Sequence, residues 1–351
     1  MGNVLLFSAN HYRIEPISKL FFQQQTMWLH FTLTAIGFAM LYAGAEWLVK
    51  GSASLARRLG VSPIIIGLTV VAFGTSAPEL VISVASSLSD RSMIAVGNVV
   101  GSNICNTTLV LGIAALLMPI PADRSVVRRD IPLMLAISLF LVILSINSTI
   151  TRIEGLVLFA GIIAYIGFNY SLWKKSQTGE YGQAADIYKD VEKAAVVDSG
   201  LKQGILIIAG IAFVVMGAQV LIDSVIAIME RIGVSEKFVG LTVVAFGTSL
   251  PELATSVVAA LKREMDISIG NLVGSNVFNI LSVLGAAAMV RPIVIPGGFM
   301  ESGMFIDYGA MLLAGIIPWL LMRRDFTLHR SGGVILLIMY MGYIGYLVQA
   351  G

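Results

Sequence analysis

Charge is scarce in this 351-residue chain: Asp, Glu, Lys and Arg make up 13% of it, about half the quarter usual in a soluble domain. That scarcity excludes an ordinary water-facing surface, and 57% hydrophobic residues with a mean hydropathy of +0.87 place the chain among membrane proteins. There is one cysteine, Cys105, so a disulfide framework and a cysteine-rich metal site are both excluded. The three histidines, His11, His30 and His329, are scattered and form no ligand pair. HExxH and GxGD motifs are absent and no histidine lies within a helix core to serve a serine, so an enzyme is not expected. The net charge of +2 is carried by Lys and Arg lying between apolar runs, which gives nucleic acid no patch to bind. Residues 1–26 are a polar, Gln-rich lead without a signal-peptide core.

What the chain has instead is apolar runs of bilayer-spanning length, about 17–25 residues. Ten spans are read at roughly 28–57, 63–88, 93–118, 131–148, 153–173, 201–230, 237–261, 266–290, 304–322 and 332–350. The expected fold is an all-α polytopic membrane protein. Its parts are the lead (1–26), a first five-helix unit (27–173), a polar linker (174–200) and a second five-helix unit (201–351). With both termini outside, 16 of the 23 Lys and Arg fall on the inward side and 7 on the outward side. The positive-inside rule then places the central linker in the cytoplasm of a cell-membrane protein.

The two units are copies. Residues 67–112 and 240–285 match without gaps at 27 of 46 positions, and the first ten, GLTVVAFGTS, are identical. The same offset of 173 pairs Gly44-Ala45 with Gly217-Ala218 and Gly60-Val61-Ser62 with Gly233-Val234-Ser235. Because five is odd, the second copy enters the membrane from the opposite face. Inverted repeats of this kind are the architecture of alternating-access transporters, with the site near the midplane where the repeats meet.

Both copies carry Gly-Thr-Ser-X-Pro-Glu within an apolar helix, at Gly74–Glu79 and Gly247–Glu252. Pro78 and Pro251 lack an N–H and clash with the preceding turn, so each helix should break there. A carboxylate at mid-bilayer costs about 2.5–3.5 kcal/mol on insertion scales. One such Glu could be protonated and structural, but two at matched positions beside broken helices point to an ion path. The following helix of each copy aligns Asn98, Ser102, Asn106 and Asn271, Ser275, Asn279 on one face at i, i+4, i+8. Interhelical hydrogen bonding accounts for Asn98 and Asn271, and close packing for Gly97, Gly101, Gly270 and Gly274 in GxxxG spacing. Ser102, Asn106, Ser275 and Asn279 fit an ion site better. An inventory of carboxylates, amides, hydroxyls and freed carbonyls suits hard cations; Ca²⁺ takes about 6–8 oxygens.

At these residues the chain resembles the calcium/cation antiporter superfamily. The GTSxPE and GN-xx-GSN-xx-N pairs are similar to that superfamily's alpha repeats, most of all to those of the prokaryotic sodium/calcium exchangers. The resemblance implies that Glu79 and Glu252 are central ligands for calcium and sodium. It implies that Thr75, Ser76, Thr248 and Ser249 line the breaks, and that Ala72 and Ala245 offer carbonyls and Ser102 and Ser275 hydroxyls to flanking sodium sites. Asn106 would reach the centre from the neighbouring helix. Where potassium-dependent relatives carry Asp, this chain has Asn279, which argues against potassium co-transport.

The reading is therefore a sodium/calcium antiporter working by alternating access, electrogenic at about three Na⁺ per Ca²⁺. It needs no cofactor, and its expected partners are the two ions and the lipid bilayer, with no protein partner evident. A calcium/proton antiporter stays open as an alternative, and a cation channel is disfavoured by inverted repeats without a pore loop.

Overall fold

The computed structural model describes residues 17–177, 197, 199–231 and 245–350. Twelve helical segments carry the fold. In the first repeat they are α1 (Ile17–Leu59), α2 (Pro63–Thr75), α3 (Ala77–Leu88), α4 (Ser92–Leu117), α5 (Ile131–Ser145) and α6 (Arg152–Gln177). In the second they are α7 (Gly200–Arg231), α8 (Ala245–Gly247), α9 (Leu250–Leu261), α10 (Met265–Val290), α11 (Met304–Met322) and α12 (Arg330–Ala350). Among the described residues seven helices are long and apolar enough to cross a membrane, or eight with the bent pair α2–α3 as one span. The fifteen-residue α5 and the α8–α9 segment supply the remaining two of the ten expected. The start expected for the latter at 237 lies outside the described residues, as do residues 1–16 of the lead and most of the linker. Helix α1 runs back to Ile17, well before the expected start near 28. No Gly or Pro interrupts residues 17–26, so helix propagates into the lead from the apolar span.

Two short antiparallel ribbons show how the repeats are oriented. The first pairs β1 (Ile120–Pro121), just after α4, with β4 (Thr327–Leu328), just before α12. The second pairs β2 (Thr149–Ile150), just after α5, with β3 (Ile293–Val294), just after α10. Matched positions 120 and 293 thus sit in different ribbons, separated by the length of α5. Copies running in the same direction would bring both to one face; these lie at opposite faces, so the repeats are inverted. Ile120, Ile150, Ile293 and Leu328 are fully buried and pin each ribbon to the bundle end. The chain reverses with matching geometry: Asp90 and Arg263 share φ 61°.

Helices α1 and α7 pack backbone to backbone. A Cβ on Gly44 would sit 2.7 Å from the Val214 N and 2.9 Å from the Gly210 O, and one on Gly210 would sit 2.6 Å from the Leu48 N. Without apolar driving force between helices in lipid, such close approach is what holds a pair together. Helix α1 is also clamped by ion pairs at the turn after α9, Lys262 to Glu46 at 2.7 Å and Arg57 to Glu264 at 3.5 Å. Burial raises the Glu264 carboxyl, and the Arg57 guanidinium pulls it back down. Asp223 accepts a hydrogen bond from Gln219 at 2.8 Å on an exposed face.

Gly210→Leu should separate α1 from α7 and destabilise the fold by about 1–3 kcal/mol, the usual cost of overpacking. The loss is read as a lowered midpoint of thermal unfolding in detergent; an unchanged midpoint would show that the contact is not tight.

Candidate ion-binding site

Each GTSxPE motif breaks its helix at the serine. Ser76 (φ −83°, ψ 8°) ends α2, and Ser249 (φ −89°, ψ 6°) separates α8 from α9. Helices α2 and α3 meet at 46°. Pro78 and Pro251 stand in the first turn of the helix that follows, where a missing N–H costs nothing. Glu79 and Glu252 occupy the same first turn, so free N–H groups and the positive end of the helix dipole favour their charge. The motif glycines permit close packing: a Cβ at Gly74 would lie 2.4 Å from Ile211 Cδ1, and one at Gly247 2.5 Å from Ile222 Cδ1, both on α7.

The two breaks face each other across the repeats. Ser76 Oγ donates to Glu252 Oε1 at 3.1 Å, and Thr75 Oγ1 donates to Asn271 Oδ1 at 3.1 Å and lies 3.4 Å from Ser275 Oγ. The N–H of Ser76 donates to the Ala72 carbonyl at 3.0 Å. Glu79, Glu252, Asn106, Asn279, Ser249 and Ser275 have no exposed surface, and Thr75, Ser76, Thr248, Ser102 and Ala72 are buried with them. Ala245 opens α8. No Lys or Arg pairs with either carboxylate among the described ion pairs.

Asn98 and Asn271 are tethers. Asn98 Nδ2 donates to Ser83 Oγ at 3.0 Å and to the Glu79 carbonyl at 3.3 Å, and Asn271 Nδ2 donates to the matching Ser256 Oγ at 3.0 Å. Gly270 and Gly274 admit α2, with hypothetical Cβ atoms 2.8 Å from the Ile64 O and 2.7 Å from the Leu68 O. Gly97 and Gly101 meet nothing within 4 Å among the described residues; the segment matched to α2, residues 236–244, lies outside them.

Asn103 and Asn276, one residue after Ser102 and Ser275, do work that the i, i+4, i+8 stripe passes over. Asn103 Nδ2 donates to the Asn276 carbonyl at 3.2 Å, which can only accept, so Asn103 Oδ1 is left to accept from Asn279 Nδ2 at 3.0 Å. Reciprocally, Asn106 Nδ2 donates to Asn276 Oδ1 at 3.2 Å. Both site amides therefore spend their N–H groups on the opposite repeat and turn their oxygens the other way. The signal was present in the sequence: the same Asn recurs mid-helix in both copies. Asn106 and Asn279 each begin a π-helical turn, the kind of local bulge that recurs at functional sites.

Among the described residues, seven buried oxygens of this cluster have no hydrogen-bond partner: both of Glu79, Oε2 of Glu252, Oδ1 of Asn106 and Asn279, and Oγ of Ser102 and Ser249. A buried polar atom left unpaired costs about 1–3 kcal/mol, more when charged. Clustered carbonyl, carboxylate and hydroxyl oxygens suit a hard cation, because each gains a ligand where it lacks a donor.

The sodium/calcium exchanger protein family matches residues 29–171 and 202–349 of this chain. The chain belongs to that family. It is 36% identical over 314 residues to the inner membrane protein YrbG of Escherichia coli, covering 88% of this chain and 94% of that one. It is 29% identical over 346 residues to the sodium/calcium exchanger MaX1 of Methanosarcina acetivorans, covering 90% and 97%. A solved structure of the sodium–calcium exchanger NCX_Mj, soaked with Na⁺ and Ca²⁺, superposes with a TM-score of 0.76 at 29% identity, covering 90% of this chain and 98% of that one. This exchanger is accordingly a multi-pass membrane protein that exchanges cations.

Asn103→Leu removes the acceptor of Asn279 at little change of volume. Losing one oriented amide, worth about 1–1.5 kcal/mol, should weaken cation affinity roughly tenfold. Isothermal titration of the purified exchanger measures it; unchanged affinity would mean that Asn103 does not orient Asn279.

Proposed function

We propose that this exchanger moves Ca²⁺ against Na⁺ by alternating access through the site between the two breaks, without K⁺. One observation carries the reading: two fully buried carboxylates and four neutral orphan oxygens converge with no cationic side chain to balance them among the described residues. Glu79 and Glu252 are the central ligands, shared by one Ca²⁺ or by sodium ions. Thr75, Ser76, Thr248 and Ser249 line the breaks, and Asn106 and Asn279 contribute amide oxygens. Ala72 and Ala245 with Ser102 and Ser275 serve the flanking sodium positions.

Coupling follows from electrostatics. Carrying two bare carboxylates through an occluded, low-dielectric state is costly, so the empty carrier rarely switches. Either cargo neutralises the pair and releases that restraint. At three Na⁺ per Ca²⁺ one net charge crosses per cycle, worth about 2.3 kcal/mol per 100 mV. The inverted repeats make this geometry economical, since exchanging the conformations of the two halves turns the site from one face to the other. The loop charges place both termini and the β2–β3 face outside and the linker within the cytoplasm of the cell membrane.

Inverted vesicles should take up Ca²⁺ when a Na⁺ gradient is imposed, and a pH gradient alone should drive none; uptake driven by pH alone would establish the calcium/proton reading. Glu79→Gln and Glu252→Gln should each abolish uptake without loss of membrane insertion, and near-normal uptake by either would remove that Glu from the central site. Omitting K⁺ should change nothing, because Asn279 supplies an amide in place of a third carboxylate.

Orientation is tested separately in a Cys105→Ala background. Asp90→Cys should react with an impermeant thiol reagent from outside the cell, and Arg263→Cys only after the inner face is exposed. Labelling of Arg263→Cys in intact cells would reverse the proposed orientation.

A further inference from the structure

The two ribbon ends of the molecule are built alike but decorated differently. At each, a residue with left-handed backbone closes the turn and its carbonyl accepts from the other repeat: Phe326 (φ 56°) from the Ala122 N at 2.7 Å, and Ser148 (φ 65°) from the Ile295 N at 2.9 Å. Serine satisfies the turn at one end, so the turn does not require an aromatic, and a bulky residue at positive φ is strained. At the β1–β4 end the Phe326 ring carries two guanidinium groups, Arg124 with Cζ 5.4 Å and Arg128 with Cζ 5.5 Å from its centroid. Arg323 stacks over Trp319 at 5.0 Å, and Trp319 Nε1 donates to the Val127 carbonyl at 2.8 Å, which ties the third arginine to the same corner.

Three carboxylates stand near these arginines in the chain, Asp123, Asp130 and Asp325. Asp130 is taken by Arg129 at 2.8 Å, Asp325 pairs with His329, and Asp123 accepts from the Ser125 N at 2.7 Å. Among the described residues no carboxylate pairs with Arg124, Arg128 or Arg323, and all three are exposed. At the opposite end the exposed Arg291 meets Asp90 at 2.9 Å. Like charges gathered on one ring, with planar forks free, match a phosphate group that can accept from both. The corner lies where α11 ends and α5 begins, and Leu320, exposed one turn before Arg323, puts apolar surface next to it.

We propose that Arg124, Arg128 and Arg323, held on Phe326 and Trp319, form a binding site for the phosphate headgroup of an anionic phospholipid. Arginine-rich pockets at the ends of membrane helices recognise such headgroups by charge and by bidentate geometry. The site lies away from the ion path and does not depend on which cations the protein exchanges.

The test is a titration of the purified full-length protein in detergent with phosphatidylglycerol, phosphatidylcholine or inorganic phosphate, read by native mass spectrometry and by thermal stabilisation. The parent should bind and be stabilised by phosphatidylglycerol alone. Arg124→Gln/Arg128→Gln should bind it roughly thirtyfold more weakly, each arginine being worth about a factor of five, and Phe326→Leu should weaken it too. Lys50→Gln/Lys202→Gln, which removes equal charge elsewhere, should bind as the parent does. If the double variant fails to fold, Arg128→Gln alone carries the test, with about a fivefold loss expected. Unchanged binding by the arginine variants overturns the proposal, as does an equal loss in the lysine pair, which would mean unspecific surface charge. Inorganic phosphate that displaces the lipid completely would assign the corner to free anions and overturn it equally.

Discussion

Two carboxylates stand at the centre of this molecule with no cationic side chain to meet them among the described residues, and the surrounding architecture makes that tolerable. Each is placed in the first turn of a helix that begins inside the bundle, where the helix end supplies a positive partial charge. Beginning a helix at that depth requires a break, and the break exposes backbone that only neighbouring protein or cargo can satisfy. The serines at the breaks, the tethered Asn98 and Asn271, and the crossed amides of Asn103 and Asn276 all follow from that need. That placement offsets part of an insertion cost of about 2.5–3.5 kcal/mol per charge.

The duplication gives the site its symmetry and its small asymmetry. Across the interface Asn103 serves Asn279 and Asn276 serves Asn106, so each repeat orients an amide of the other. Ser76 reaches Glu252, whereas no matching hydrogen bond runs from Ser249 to Glu79 among the described residues.

Much of this was legible in the sequence because the informative features were local and repeated. Apolar run length gave the spans, the odd number of spans gave the inversion, and Pro78 and Pro251 marked breaks that the structure places at Ser76 and Ser249. The length of α1 was less legible, since residues 17–26 are polar enough to read as a lead but contain nothing that stops a helix. Asn103 and Asn276 escaped for another reason. Helical periodicity identifies a face, but the direction of an amide depends on which atom across the interface can only accept. That information exists only once the repeats are docked. The ribbons were invisible for the same reason, each being two residues long and paired across 143 to 208 positions of chain.

Those ribbons have a consequence for biosynthesis. Ile120 finds its partner at Leu328, near the end of the chain. Asn106, likewise, finds its acceptor only in Asn276. When the first five helices have entered the membrane, their polar face and one strand edge still have nothing to pair with, and they wait until nearly all the remaining chain is translated. The nascent first half is thus a membrane-inserted but incomplete body, dependent on late-arriving sequence to bury its carboxylate. Completing the fold therefore requires the two halves to dock after both have entered the membrane, with the first half held as a partly formed intermediate until then.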